Sequence, residues 1–379
     1  MGVPTHELRT LVDFVSDGYL VTSFYLDVNA DEFPAPESIR QSADSALHSA
    51  SEEFKERKKD LNHTAAESLR HDLHKIGHFV KAEFQRDGAN GLAIFSCSAR
   101  EFWQVCRLPT KVQTRVVFES QPYVAPLATF LSHAKPTGIL LTDRQHARLL
   151  TMDGGEVKEW ADFEDFVPQR SAQGGWSQMR YQHRSDEWAK HHLDHAAQLV
   201  LKLEQREAFD WLVLGTEVDV EHDLAEDLHP YVKDRVIGRI HVRIDAPEAE
   251  VVEEARKVRD QAEEHLIDTL MRQIQDYAGA DGRSALGLDD TLRALNEQKV
   301  HILVVQERYS QAGAVCPQCH LLLGEQRDAC SACNSPTEKI DNVVDSAIQR
   351  AFELGSVVEV ATEYQQLAPI NWIGAILFY

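Results

Sequence analysis

Four cysteines within eighteen residues are the part of this sequence best equipped for chemistry. Cys316 and Cys319 are separated by two residues, Cys330 and Cys333 likewise, and ten residues lie between the pairs. Each Cys-x2-Cys can turn two thiolates onto one ion, and four sulfurs at about 2.3 Å complete a closed tetrahedron around zinc. The spacer is shorter than the roughly fifteen to twenty residues of many such sites but suits a zinc ribbon. This reading outweighs an unligated group or an iron–sulfur cluster. With every position filled by protein, no water can bind, so the ion is expected to stabilise the fold without reacting. His320 is read as a neighbour and not a ligand. The other two cysteines, Cys97 and Cys106, make six in all, too few for a disulfide scaffold in 379 residues. Cys97 sits in an apolar run and is read as core.

A second candidate is the run from Gln169 to Arg184, which holds Arg170, Arg180 and Arg184 and no acidic residue, in a chain of net charge -22. With 19 glycines, about one Gly-Gly pair is expected by chance, and Gly154-Gly155 has the look of an ordinary turn. Gly174-Gly175 differs in its company: Trp176, Ser177, Gln178, Arg180, Tyr181 and Arg184 follow. Glycine lets a backbone approach a ligand closely, arginine contacts phosphate, and Trp176 or Tyr181 can stack on a base. An exposed linker with solvated arginines is the plainer alternative.

Other constellations are weaker. His191 and His195 have the i, i+4 spacing of a zincin pair, but His192 stands where the general-base glutamate would be. These histidines are expected to form a wet helical face that could meet RNA, and His71, His74 and His78 are expected to be solvated too. There is no Gly-x-Gly-x-x-Gly, P-loop or Gly-x-Ser-x-Gly motif. The composition, 43% hydrophobic and 26% charged, is that of a globular protein. No window approaches the 18 or so uncharged apolar residues that span a bilayer, and the N-terminus resembles neither a signal peptide nor a myristoylation site. A cytoplasmic protein is expected, with no membrane or DNA partner. The strong negative charge excludes a protein that coats nucleic acid with its whole surface, so any such contact must be local.

The length calls for two or three domains. Residues 1–134 read as a small α/β domain: strands at 20–28, 92–97 and 114–118, with two helices between Pro36 and Phe84. Residues 135–278 begin with strands at 138–142 and 147–152, a turn at Asp153-Gly154-Gly155, and a strand at 156–160. A helix from about 187 to 207 follows the arginine-bearing loop, then a strand at 209–214, a helix interrupted at His229-Pro230, a strand at 237–244 and a long helix after Pro247. Residues 279–379 give a helix at 288–295, a strand at 300–305, the cysteine module at 312–338, a helix at 342–354 and strands at 356–360 and 373–378. The fold class is α/β in the mixed α+β sense, with helices packed on mixed sheets.

Gly174-Gly175-Trp176-Ser177-Gln178-x-Arg180, the amphipathic helix after it, Leu228-His229-Pro230, Arg235-Val236-Ile237-Gly238 and the zinc ribbon together resemble the bacterial and archaeal branch of the class-1 peptide-chain release factor/Pelota family. The likeness covers about 245 residues of the second and third blocks. It implies three domains: an N-terminal one, a middle one with an RNase H-like fold, and a C-terminal α/β sandwich like kink-turn-binding ribosomal proteins, with the zinc ribbon inserted. In release factors a Gly-Gly-Gln tip enters the peptidyl-transferase centre and positions a water against the peptidyl-tRNA ester. By that likeness Gly174 and Gly175 match the tip glycines, and Gln178 is the candidate water-positioning residue, displaced by Trp176 and Ser177. Trp176, Ser177, Arg180, Tyr181 and Arg184 are the candidate RNA contacts. The expected partners are the ribosome and tRNA, with a translational GTPase for delivery. The expected function is ribosome rescue or peptidyl-tRNA release. A non-catalytic hibernation factor and a tRNA-cleaving nuclease, with Arg180 and Arg184 on the scissile phosphate, are the alternatives.

Overall fold

The computed structural model describes residues 5–57, 63–133, 135–153, 156–167, 176–207, 209–216, 218–280, 282–363 and 365–378. In chain order the first 133 residues contain α1 (Thr5–Val12), β1 (Val21–Asp27), α2 (Pro36–Arg57), α3 (His63–Ala82), β2 (Gly91–Cys97), β3 (Phe102–Leu108), β4 (Arg115–Glu119) and α4 (Ala128–His133). Next come β5 (Thr137–Thr142), β6 (His146–Asp153), β7 (Glu156–Glu164), α5 (Trp176–Arg206), β8 (Trp211–Thr216), α6 (Val218–Asp227), α7 (Pro230–Lys233), β9 (Val236–Arg239) and α8 (Glu248–Ala280). The remainder is β10 (Ser284–Leu286), α9 (Gly287–Asn296), β11 (Val300–Gln306), β12 (Gly313–Val315), β13 (Leu322–Leu323), β14 (Glu338–Ile340), α10 (Val343–Glu353), β15 (Val357–Ala361) and β16 (Ile373–Leu377). Among the described residues no helix is long and apolar enough to cross a membrane.

The chain divides into two units, residues 133–267 and residues 1–132 with 268–379. In the second of these, β3-β2-β1-β4 form an antiparallel sheet. β2 is buried at every position, as its unbroken apolar run requires. Phe24, Leu26, Leu92 and Ile94 bury one face of the sheet against Ile39 and Ala43 of α2 and Ile76 and Val80 of α3. The same unit holds a mixed sheet, β10-β16-β11-β15, in which only β11 and β15 are parallel, and the small sheet β13-β12-β14 of the cysteine module.

Polar contacts join the first and third stretches of sequence within this unit. Arg115 pairs with Asp345 at 3.1 Å. The Val124 backbone N–H donates to Gln349 Oε1 at 2.9 Å, and Gln349 Nε2 donates to the Pro122 carbonyl at 3.2 Å. Ser132 Oγ donates to Glu359 at 2.9 Å and accepts from the Val360 N–H at 2.9 Å. Ser132, Gln349 and Glu359 are all buried, where an unpartnered polar group would cost more than its hydrogen bond returns.

A buried carboxylate ties α3 to the N-terminal sheet. Asp72, with no exposed surface, accepts from Ser96 Oγ at 2.7 Å, Thr22 Oγ1 at 3.2 Å, and the Ser98 N–H and hydroxyl at 2.9 and 2.5 Å. Burial pushes its carboxyl above the usual range, and these donors only partly offset that. The folded pKa therefore exceeds the unfolded one. Asp72 then adds stability that is complete below the unfolded value, near 4, and is lost as pH rises through the folded value. Denaturant titrations across that window should show the trend in the native chain and lose it in Asp72→Asn. Asp72→Ala, which strands the hydroxyl donors, should cost about 2–4 kcal/mol.

The unit 133–267 is built on the five-stranded sheet β7-β6-β5-β8-β9. β5 pairs antiparallel with β6 and parallel with β8, and β8 pairs parallel with β9. Helix α5 covers one set of core residues through Leu193, Ala196, Ala197, Val200 and Leu203. Helix α8 contributes Val251, Val252 and Ala255 to a second cluster with Ile139, Leu141, Leu150 and Val213. Val236–Arg239 is shorter than the strand expected at 237–244. Gly238 has a packing reason: a Cβ there would lie 2.6 Å from Val258 Cγ1. Gly238→Ala should destabilise this unit by about 1–3 kcal/mol through overpacking, read as a lower midpoint in urea.

Candidate functional site

The cysteine module consists of two matching knuckles. His320 N donates to the Cys316 carbonyl at 2.8 Å and Cys316 N to Leu321 O at 3.0 Å; Asn334 N donates to the Cys330 carbonyl at 3.0 Å and Cys330 N to Ser335 O at 2.8 Å. His320 (φ 57°) and Asn334 (φ 59°) both adopt the left-handed conformation that reverses the chain. His320 is thus the turning residue of the first knuckle, and the group of potential ligands consists of the four cysteines. Since glycine adopts this conformation without a Cβ penalty, His320→Gly should stabilise the module by about 0.5–1 kcal/mol, measured by thermal denaturation.

The four sulfurs lie within 4.8 Å of one another. Three of the separations are 3.5, 3.5 and 3.6 Å. A tetrahedron with metal–sulfur bonds of about 2.3 Å has edges of about 3.8 Å, so the group fits a single ion. The Ser335 hydroxyl and N–H pull the Cys333 thiol down to about 6, and the Cys333 and Ala332 N–H groups lower Cys330. The Leu321 N–H favours the Cys319 thiolate, but desolvation and its contacts with the other three sulfurs raise it to about 12. Crowded thiolates repel, and a cation resolves that repulsion. The module is seated on the unit by Asn296, whose amide exchanges hydrogen bonds with Leu322 N and O at 3.0 and 2.9 Å. Arg350 donates to the His320 carbonyl at 3.2 Å.

Gly174 and Gly175 lie outside the described residues. Trp176 opens α5, so Ser177, Gln178, Arg180, Tyr181 and Arg184 all occupy its first three turns, ahead of the helix start expected near Glu187. Their side chains lie outside the described residues.

The base of α5 is fixed by contacts that no local pattern announces. His192 was expected on a wet face, yet it is 1% exposed. Its Nδ1 donates to Asp165 Oδ2 at 2.8 Å, and its Nε2 lies 3.3 Å from Thr142 Oγ1. His195 contacts the same Asp165 oxygen at 3.1 Å. Burial alone would raise Asp165, but these two histidines outweigh it and hold its carboxyl below the usual range. Phe163 packs on both rings, with centroids at 5.3 Å from His192 and 4.5 Å from His195. His191 stays exposed. One and two turns before His192, on the same buried stripe, lie Ala189 and Ser185, and Arg144 pairs with Asp186 at 2.8 Å.

The other family-like strings prove to be scaffold. The His229 side chain caps α7, accepting from Tyr231 N at 3.4 Å, and Pro230 takes the first helical position. The Arg235 guanidinium donates to the Phe209 carbonyl and pairs with Glu204 at 2.9 Å.

Residues 122–260 match the model of a family described as "Bacterial archaeo-eukaryotic release factor family 10". Peptide chain release factor subunit 1 of Thermococcus sibiricus is 23% identical over 332 residues, covering 79% of this chain and 78% of that protein. Its counterpart in Methanococcoides burtonii is 23% identical over 295 residues, covering 68% and 71%. The solved structure of Archaeoglobus fulgidus Pelota aligns with 78% of this chain and 82% of that one at 16% identity, with a TM-score of 0.31, an overlay too loose to support an argument. It is the sequence matches, spanning most of the chain, that make it similar to archaeal peptide chain release factor subunit 1.

Proposed function

We propose that this protein is a release-factor-like translation factor that acts at the ribosomal A site, in ribosome rescue or peptidyl-tRNA release. The observation that carries this reading is the run of three arginines and no acidic residue at 169–184, in a chain of net charge -22 and leading into a 31-residue helix. Arginines concentrated at one end of a long rigid element suit a phosphate-lined site, while the acidic remainder disfavours indiscriminate RNA binding. The ribosome and tRNA are the proposed partners, a translational GTPase the proposed carrier, and the cytoplasm the proposed compartment. The Gly174-Gly175 segment is proposed as the tip, with Gln178 as the water-positioning residue. Zinc is the proposed occupant of the four-cysteine group. Cys316, Cys319, Cys330 and Cys333 would hold it as a structural ion, and it would supply no chemistry to the tip.

One observation favours the non-catalytic variant, a hibernation factor that fills the A site. Release depends on positioning, and a displacement of about 1 Å can cost on the order of a hundredfold in rate. Here Gln178 lies inside the first turn of α5, two residues beyond Trp176. Stalled ribosomes carrying labelled peptidyl-tRNA separate the readings. Peptide release that Gln178→Ala abolishes supports the hydrolase, ribosome binding without release supports the plug, and a shortened tRNA indicates the nuclease. Failure of the chain to co-sediment with ribosomes would overturn the proposal.

A further inference from the structure

A thiolate that holds a metal is still a nucleophile, so a four-cysteine group is open to oxidation wherever an oxidant reaches a sulfur. The module at 312–338 does not shield its four cysteines equally. Cys316 and Cys330, the first of each knuckle, are 0% and 3% exposed, whereas Cys319 and Cys333, the second of each, are both exposed. The local fold accounts for the difference. Cys316 directly follows β12, whose Ala314 is fully buried, while Cys319 and Cys333 stand at the outer bend of each knuckle, immediately before the left-handed His320 and Asn334.

The two exposed sulfurs are also neighbours. They lie 3.6 Å apart across the knuckles and need to close by only about 1.5 Å to reach the roughly 2.05 Å of a disulfide. The buried sulfurs are just as near, Cys316 at 3.5 Å from Cys333 and Cys330 at 3.5 Å from Cys319, so access and not distance selects the pair. We propose that Cys319 and Cys333 form a peroxide-sensitive dithiol whose oxidation opens the cysteine module. One thiolate of the pair attacks hydrogen peroxide: an S–O bond forms, the O–O bond breaks and hydroxide leaves. The other thiolate attacks that sulfenic sulfur, forming the S–S bond and expelling a second hydroxide. Two electrons pass from the two thiolates to one peroxide, and two protons from solvent convert the hydroxides to water. Cys316 and Cys330 are then the only thiolates left, half of the set that a closed site requires. The first knuckle also seats the module: His320 and Leu322, just after Cys319, hold Arg350 of α10 and Asn296 of α9. Because folding of the knuckles and binding of the ion are one process, oxidation loosens these contacts. The effect depends on the proposed zinc occupancy of the group and on no action at the ribosome.

The test treats the purified full-length chain with hydrogen peroxide, follows zinc release with a chromogenic chelator, then alkylates the free thiols in denaturant and maps disulfides by mass spectrometry without reduction. Zinc should be lost in step with a Cys319–Cys333 disulfide as the first product, with Cys316, Cys330 and the buried Cys97 and Cys106 recovered as alkylated thiols. Protease cleavage within 312–338 should rise in parallel, and dithiothreitol with added zinc should reverse both changes. Cys319→His keeps a three-cysteine, one-histidine set for zinc but removes the partner of Cys333, so rapid release should be lost. If that variant fails to load zinc, the mapping in the parent decides. A first disulfide within one knuckle, Cys316–Cys319 or Cys330–Cys333, overturns the proposal, as does zinc retained while a free-thiol peptide in the same tube is oxidised. A Cys319–Cys333 disulfide formed in a chain that carries no zinc when isolated would sink the zinc reading and leave the oxidation site standing.

Discussion

Cys330→Ser is expected to strip the metal from the protein, taking the ratio by elemental analysis from one zinc per chain to none. Cys330 is buried, its sulfur lies 3.5 Å from that of Cys319, and its backbone closes the second knuckle. Serine offers a poor ligand in the same place. Affinity should fall by more than about a hundredfold, beyond the loss caused by removing an outer hydrogen-bond partner. Because folding of the knuckles and binding of the ion are one process, proteolysis should then cut within 312–338. The β11-β15-β16 sheet, which has its own buried core, should stay protected. A strong chelator should reproduce the effect and added zinc reverse it. Iron with visible absorption in place of zinc, or full occupancy after the substitution, would refute this assignment.

The second large effect is expected from Arg180→Ala combined with Arg184→Ala. Each lost phosphate contact removes roughly 0.7–0.9 from the slope of log affinity against log salt. The pair should therefore flatten that slope by about 1.4–1.8 and weaken ribosome binding roughly 10- to 100-fold near 0.1 M salt. Thermal stability should not change. Salt-dependent co-sedimentation measures both quantities. An unchanged slope would show that these arginines do not meet phosphate, whatever happens to affinity.

What could be read from the sequence depended on whether the determining contacts were local. The cysteine quartet was legible because two-residue spacings dictate the knuckles. β1, β2, β5 and β8 were legible as apolar runs between polar stretches. β3 was missed: Phe102-Trp-Gln-Val-Cys-Arg-Leu108 is an edge strand, half-buried along most of its length, and its pattern is neither fully apolar nor cleanly alternating. The start of α5 was placed late because periodic apolar residues set in only with the buried stripe at Ser185 and Ala189. The polar turns before it, with two Gln, two Arg and one Met, have good helix propensity without amphipathic signal. The burial of His192 was invisible because its partners, Thr142 and Asp165, arrive from β5 and the end of β7.

The most direct check on the whole account is a density map of this protein bound to its ribosome. The expected map has α5 pointing its N-terminus at the peptidyl-transferase centre, with residues 169–184 against ribosomal RNA or the acceptor end of tRNA. A map with the chain docked elsewhere, or with the start of α5 turned away from RNA, would contradict it.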